Sequence, residues 1–386
     1  MLRRESDEAA LELALRRWPV VAILGPRQVG KTTLARTITE RRGATHTTFD
    51  LEDPRDMRRL DDASTALREL SGLVVIDEVQ RRPELFPLLR VLADRPRKPA
   101  RFLVLGSASP HLLKQASESL AGRILFHELA GFGVEDVGKK HWRKLWLRGG
   151  FPRAFLARNE IESLEVRRAL IRTYLERDLP ELGFKLASST IERFWTMLAH
   201  YHAQIWNASE LARSFGLSHT TVLRWLEVLV DTFMVQLLRP WSTNVAKRQV
   251  KSPKVYFRDS GLLHALLDVR TRDDLEKHPR LGASFEGFAL QEVMRRLRVD
   301  RRECYFWATH QGAELDLLVV RGSRRRGFEF KHTDAPAVTA SMRIALQDLG
   351  LERLDVIHIG KETYPLTRQI RAVAFERLDT DLAPLR

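Results

Sequence analysis

Between Trp18 and Gly131, short apolar runs (VVAIL, THTTF, LVVIDE, RFLVLGS and RILFHEL) alternate with segments of helical spacing. Runs of five or so apolar residues suit strands buried on both faces, so the alternation predicts a parallel sheet with helices on both sides. From Asp136 to about Pro240 the pattern becomes almost wholly helical, as in SLEVRRALIRTYLERDL and TIERFWTMLAHY, with apolar residues three and four apart. After a basic connection around Lys247 to Lys254 a third pattern begins. It predicts a helix over Ala283 to Arg298, strands near Tyr305, Leu315 to Val320 and Gly327 to Lys331, a helix around Met342, and strands around Val356 and Ala372. The expected domains are 1–135 (α/β), 136–265 (helical) and 266–386 (α+β).

Composition agrees with a folded chain. Apolar residues make up 44% of the 386 and charged residues 30%, which excludes a disordered polymer. The 64 Lys and Arg against 50 Asp and Glu leave a net charge of +14, which favours a polyanionic partner. The single cysteine, Cys304, excludes an intrachain disulfide and a multi-cysteine zinc site. The charge-studded start MLRRESDEAALELALRRW is unlike a signal peptide, and no apolar run approaches membrane-spanning length. A cytoplasmic location with no membrane partner is the expectation.

The segment GPRQVGKTT satisfies GxxxxGK[ST] directly after the strand VVAIL and directly before the helical LARTITERR. Backbone N–H groups of Gly25, Pro26 onward through Arg27, Gln28, Val29, Gly30, Lys31, Thr32 and Thr33 would converge on phosphates at a helix N-terminus, proline excepted as a donor. Lys31 would reach the β- and γ-phosphates of ATP and Thr32 would bind Mg2+. In LVVIDEVQ an apolar strand ends in Asp77, suited to the magnesium's water shell, and Glu78, suited to activating water. RFLVLGSAS then brings Ser107 toward the γ-phosphate. These parts predict a P-loop NTPase that hydrolyses ATP.

NASELARSFGLSHTTVLRWLEVLV reads as helix, tight turn at Gly216, helix, with Ser218 as N-cap and Leu211, Leu217, Val222, Trp225, Leu226 and Leu229 as its buried face. His219, Thr220, Thr221 and Arg224 are left facing a DNA groove. FMVQLLRPWS and KRQVKSPKVYFRD then look like the strands and wing of a winged helix, with Lys247 and Arg248 as further DNA contacts.

In the last region, Glu314 and Asp316 fall on one face of the strand GAELDLLVV, and Glu329 and Lys331 on one face of GFEFKH. Glu286 flanks the apolar stripe of the preceding helix. Carboxylates from adjoining strands can meet on one hard divalent cation, and a lysine beside them can steady a phosphorane.

GPRQVGKTT, LVVIDEVQ, LGSAS and SLAGRI, followed by LRGGFPRAF and YLERDLPEL, resemble bacterial and archaeal AAA-type ATPases with a DUF4143-like C-terminal region. The resemblance implies Ser107 as a γ-phosphate sensor and Arg123 as an arginine approaching nucleotide in its own or a neighbouring subunit. The helix acid, strand acid and acid-x-Lys order resembles the PD-(D/E)xK nucleases. That likeness implies a restriction-endonuclease-like fold, with Glu286, Asp316 and Glu329 on Mg2+ or Mn2+ and Lys331 as the catalytic lysine. The chain is thus expected to be an ATPase coupled to a DNA-binding, metal-dependent DNA-cleaving tail. The alternative is an ATP-driven regulatory or antitoxin-like switch whose inactive nuclease-like tail binds protein or DNA; a homo-oligomer is compatible with either.

Overall fold

The computed structural model describes residues 2–43, 46–96, 100–107, 116–182, 184, 187–241 and 252–385. These fall into two compact units, one of residues 1–131 and 231–233, the other of 132–230 and 234–386.

The first unit is built on strands β1 (Val20–Gly25), β2 (His46–Asp50), β3 (Gly72–Asp77), β4 (Ala100–Ser107) and β5 (Ile124–Glu128), in the order β2-β3-β4-β1-β5. Every pairing is parallel. Alternate residues of the same strands enter two separate cores. Val20, Ala22, Leu24, Val74, Ile76, Phe102 and Val104 pack with the helix Leu85–Ala93 on one face. Val21, Ile23, Leu73, Val75, Leu103 and Leu105 pack with the helices Glu5–Arg17 and Lys31–Arg42 on the other. Burial on both faces is why these strands read as unbroken apolar runs. The parallel sheet with flanking helices is as the sequence pattern implied.

The second unit holds a nine-stranded sheet. Its strands are β6 (Gln204–Ile205), β7 (Val235–Pro240), β8 (Lys254–Phe257), β9 (Cys304–Ala308), β10 (Glu314–Arg321), β11 (Arg324–Lys331), β12 (Arg353–His358), β13 (Tyr364–Pro365) and β14 (Ile370–Ala374). Their order is β13-β14-β12-β11-β10-β9-β7-β8-β6. Strands β9, β10 and β11 are antiparallel, whereas β12 runs parallel to β11 through the crossover helix Ala340–Leu349. One face packs Leu315, Leu318 and Val356 against Met342, Ala345 and Leu349 of that helix. The helix expected over Ala283 to Arg298 spans Leu281–Leu297. It buries Phe285 and Phe288 among Trp142, Trp146 and Phe375, with ring centroids 4.9 to 6.5 Å apart.

The helix pair is present as Ala208–Phe215 and His219–Asp231, with Gly216 left-handed between them (φ 63°) and the Ser218 hydroxyl accepting from Thr221 N at 3.1 Å. Leu211, Val222, Trp225, Leu226 and Leu229 are buried, as are Trp195 and Trp206, so these tryptophans are core. Strands β7 and β8 form the hairpin that follows, and β6 pairs with β8. Among the described residues, no helix is long and apolar enough to cross a membrane.

Candidate functional site

In a parallel sheet the strand C-termini and the helix N-termini that follow them gather on one edge, and β1, β3 and β4 end there together. Gly25 closes β1 where an added Cβ would lie 2.3 Å from Leu129 O, so only glycine fits. Gly30, at φ 102°, starts the helix Lys31–Arg42 with no side-chain cap. The first N–H groups of that twelve-residue helix are therefore not consumed by a cap, and they point toward the loop. Gln28 is also left-handed (φ 61°) and exposed, Pro26 and Val29 are buried, and Arg27 and Thr33 lie at the surface side of the turn. Buried Arg4 braces the loop from the N-terminal helix, its guanidinium donating to Val29 O at 2.9 Å and Ala130 O at 2.8 Å. No motif in the sequence marked Arg4.

The Lys31 ammonium curls over the loop and donates to the carbonyls of Gly25 (3.1 Å) and Pro26 (2.9 Å). The Thr32 hydroxyl donates to Asp77 Oδ2 at 2.7 Å, and Asp77 is buried. A hydroxyl and a carboxylate oxygen this close, beside the loop, form an oxygen pair that fits magnesium. Glu78 is left-handed (φ 55°), its N–H donating to Asp77 Oδ1 at 2.8 Å and its carboxylate taking the Gln80 amide. Burial raises the Glu78 carboxyl above its ordinary range against the opposing pull of Lys31. Ser107 ends β4 with its backbone in register with Gly25; its side chain lies outside the described residues.

Arg123 is a correction. Its carbonyl accepts from Val20 N at 3.2 Å, at the start of β1, roughly 16 Å along the strand from Gly25. Its guanidinium pairs with Asp94 at 2.7 Å. Arg123 therefore stands at the opposite edge from its own P-loop, because it precedes β5 rather than following a strand.

In the second unit the four residues predicted to meet do meet. Strand β10 advances three residues, Leu315 to Leu318, while β9 advances two, Trp307 to Tyr305. This bulge contains Asp316 and re-aims it. Asp316 Oδ2 accepts from Phe330 N at 3.1 Å and lies 3.9 Å from Lys331 Nζ. Lys331 pairs with Glu329 at 2.8 Å. Glu286 projects from its helix to accept from Tyr256 OH at 2.6 Å.

The unforeseen member is Lys254. It opens β8, is buried to 2% exposure, and places its ammonium 3.4 Å from Glu286, 3.6 Å from Asp316 and in contact with Glu314. Burial alone would lower it, but Tyr256, Glu286, Asp316 and Glu314 outweigh that and hold it well above the ordinary lysine value. Burial and then Asp316 push the Glu286 carboxyl up to about 7 and that of Glu329 up to about 8. The expected metal set of Glu286, Asp316 and Glu329 thus converges on two ammonium groups. Among the described residues no cluster of three or more His, Cys, Asp or Glu is arranged to hold a metal ion. Stripping a buried charge of its partner costs about 3–5 kcal/mol, so the pairing with Lys254 is not a loose surface contact.

On the helix pair, His219, Thr220 and Arg224 are exposed and Thr221 is half-buried; Arg224 lies 5.7 Å from the Phe184 ring. Lys247 and Arg248 lie outside the described residues.

Residues 17–137 match the AAA domain family, 139–273 the domain of unknown function DUF8612, and 281–378 the domain of unknown function DUF4143. Uncharacterized proteins of Mycobacterium tuberculosis and Mycobacterium bovis are each 49% identical over 380 residues, covering 98% of this chain and 85% of theirs. Among solved structures, the Walker-type ATPase of Pyrococcus abyssi aligns with a TM-score of 0.50 at 17% identity, over 69% of this chain and 96% of that one, a likeness of fold. Sheet order, phosphate loop and the Asp77–Glu78 strand end define the class as P-loop ATPases. The chain belongs to the AAA-type P-loop ATPase family whose members carry a C-terminal DUF4143 domain.

Proposed function

We propose that the protein hydrolyses ATP with magnesium and uses nucleotide state to govern a second unit that engages DNA. The observation carrying the first half is the hydrogen bond from Thr32 to Asp77 directly beside Lys31 and the uncapped helix N-terminus. Thr32 directly, and Asp77 through water, would hold magnesium, which when bound neutralises phosphate charge. Lys31 swings from its two carbonyls to the β- and γ-phosphates and stabilises negative charge developing there. Glu78 orients the attacking water and takes its proton; a carboxyl raised by burial accepts that proton more readily. Ser107, at the end of the intervening strand, is the polar contact to the γ-phosphate. Arg123 faces away from its own loop and would serve the nucleotide of a neighbouring copy.

For the second unit, exposed His219, Thr220 and Arg224 on the second helix of the pair, with the β7–β8 hairpin behind it, support a winged-helix docking on DNA. The net charge of +14 favours the same partner. The helix, antiparallel strands, crossover helix and parallel strand around Asp316 support the nuclease-like likeness. The placement of two lysines among the carboxylates favours the non-cleaving switch over the cleaving tail. The direct test of the ATPase half is phosphate release by the full chain. Magnesium-dependent turnover that falls to background in Lys31→Ala is the expected result, and turnover unchanged in that variant would refute the assignment.

A further inference from the structure

The carboxylate face is assembled from two parts of the chain. Glu286, Glu314, Asp316, Glu329 and Lys331 come from the helix Leu281–Leu297 and the hairpin β10–β11. Lys254 and Tyr256 come from β8, the strand that closes the hairpin following the helix pair. Three carboxylates from separate positions point oxygens at a single spot, and the Lys254 ammonium fills it. The fit is specific. Tyr256 holds Glu286 Oε1 at 2.6 Å, and the Phe306 ring lies 5.6 Å from the ammonium nitrogen. An ammonium offers donors on a compact positive charge, whereas a divalent ion needs six or more oxygens close around it. The two occupants compete for the same oxygens.

We propose that Lys254 is the resident cation of this site: its ammonium takes the position a divalent metal ion would occupy, so the wild-type face binds no metal, and removing the lysine uncovers a latent site for Mg2+ or Mn2+. This rests on the reading of the tail as non-cleaving and gives it a cause. It also makes the occupant part of the DNA-facing module, since β8 belongs to the hairpin beside the helix pair.

The test is Mn2+ binding by nucleotide-free full-length protein, followed by electron paramagnetic resonance of the free ion, which needs neither ATP turnover nor DNA. Wild type and Asp316→Asn are expected to bind Mn2+ equally, because the face holds none in either. Lys254→Met is expected to gain one saturable ion per chain, and Lys254→Met combined with Asp316→Asn to lose it. More Mn2+ on wild type than on Asp316→Asn would overturn the proposal, as would a folded Lys254→Met that binds no more than wild type. Should Lys254→Met fail to fold, Lys254→Gln takes its place and the wild-type comparison with Asp316→Asn still decides. A failed ATPase or DNA assignment would leave each of these ion counts unchanged, so the two failures can be told apart.

Discussion

Glu78 and Asp77 are neighbours in sequence with different duties. Asp77 is buried and tied to Thr32, whereas Glu78 adopts a left-handed backbone that turns its carboxylate out of the strand line toward Gln80. If Glu78 takes the water's proton, Glu78→Gln removes the acceptor while leaving the phosphate loop intact. Hydrolysis should fall by about 10²- to 10⁴-fold. Binding of a fluorescent ATP analogue should stay near wild type, and a parallel loss of both would assign Glu78 to the loop's architecture instead. The sequence made this pair legible, since a P-loop and an acid-ended apolar strand are local patterns. Arg123 was misjudged because SLAGRI does not reveal at which edge of the sheet its residues fall. Arg4 was invisible, being an arginine among many until the N-terminal helix lies against the loop.

Elements set the chemistry of the second unit's interior. His264, on the helix Ser260–Leu266, has Nδ1 3.0 Å from Leu147 O and Nε2 2.7 Å from Ser284 Oγ. A carbonyl can only accept, so Nδ1 carries the proton and Nε2 accepts from the serine hydroxyl, which in turn takes the Trp146 indole N–H at 2.9 Å. His202 accepts from Phe257 N at 3.0 Å. Burial lowers both imidazoles to about 3 from an ordinary 6.5. The unfolded chain therefore binds protons that the folded chain refuses. Their stabilising contribution is complete above pH 6.5 and is lost as pH falls from 6.5 toward 3, by up to ~1.4 kcal/mol per pH unit for each histidine. Denaturant midpoints should drop between about pH 7.5 and about pH 5, and His264→Asn should flatten that drop. Midpoints that do not move would mean the two imidazoles titrate normally in the fold. The bulge that turns Asp316 toward Phe330 N belongs to this scale too. Alternation along GAELDLLVV put Asp316 on the right face but could not show the extra residue, which depends on how β9 pairs with β10.

At the scale of the whole chain, three patterns of periodicity correctly separated a parallel α/β sheet, a helical stretch and an α+β stretch, because each obeys a local period. Strand order was not readable. The sheet of the second unit runs from β9 to β7 and on to β8, which carries Lys254 into the carboxylate face. In the sequence Lys254 looked like one more charge in a basic connection, and only that pairing shows it as a buried ion. The helix pair, the hairpin and the carboxylate face therefore form one sheet-linked body, suited to passing a change at DNA to one end of the chain. The central claim is that ATP turnover and DNA engagement are coupled. The most direct measurement is the rate of magnesium-dependent phosphate release by the full chain with and without saturating duplex DNA. The account predicts a rate that DNA changes several-fold and that Lys31→Ala abolishes in both conditions. An identical rate with and without DNA would contradict it.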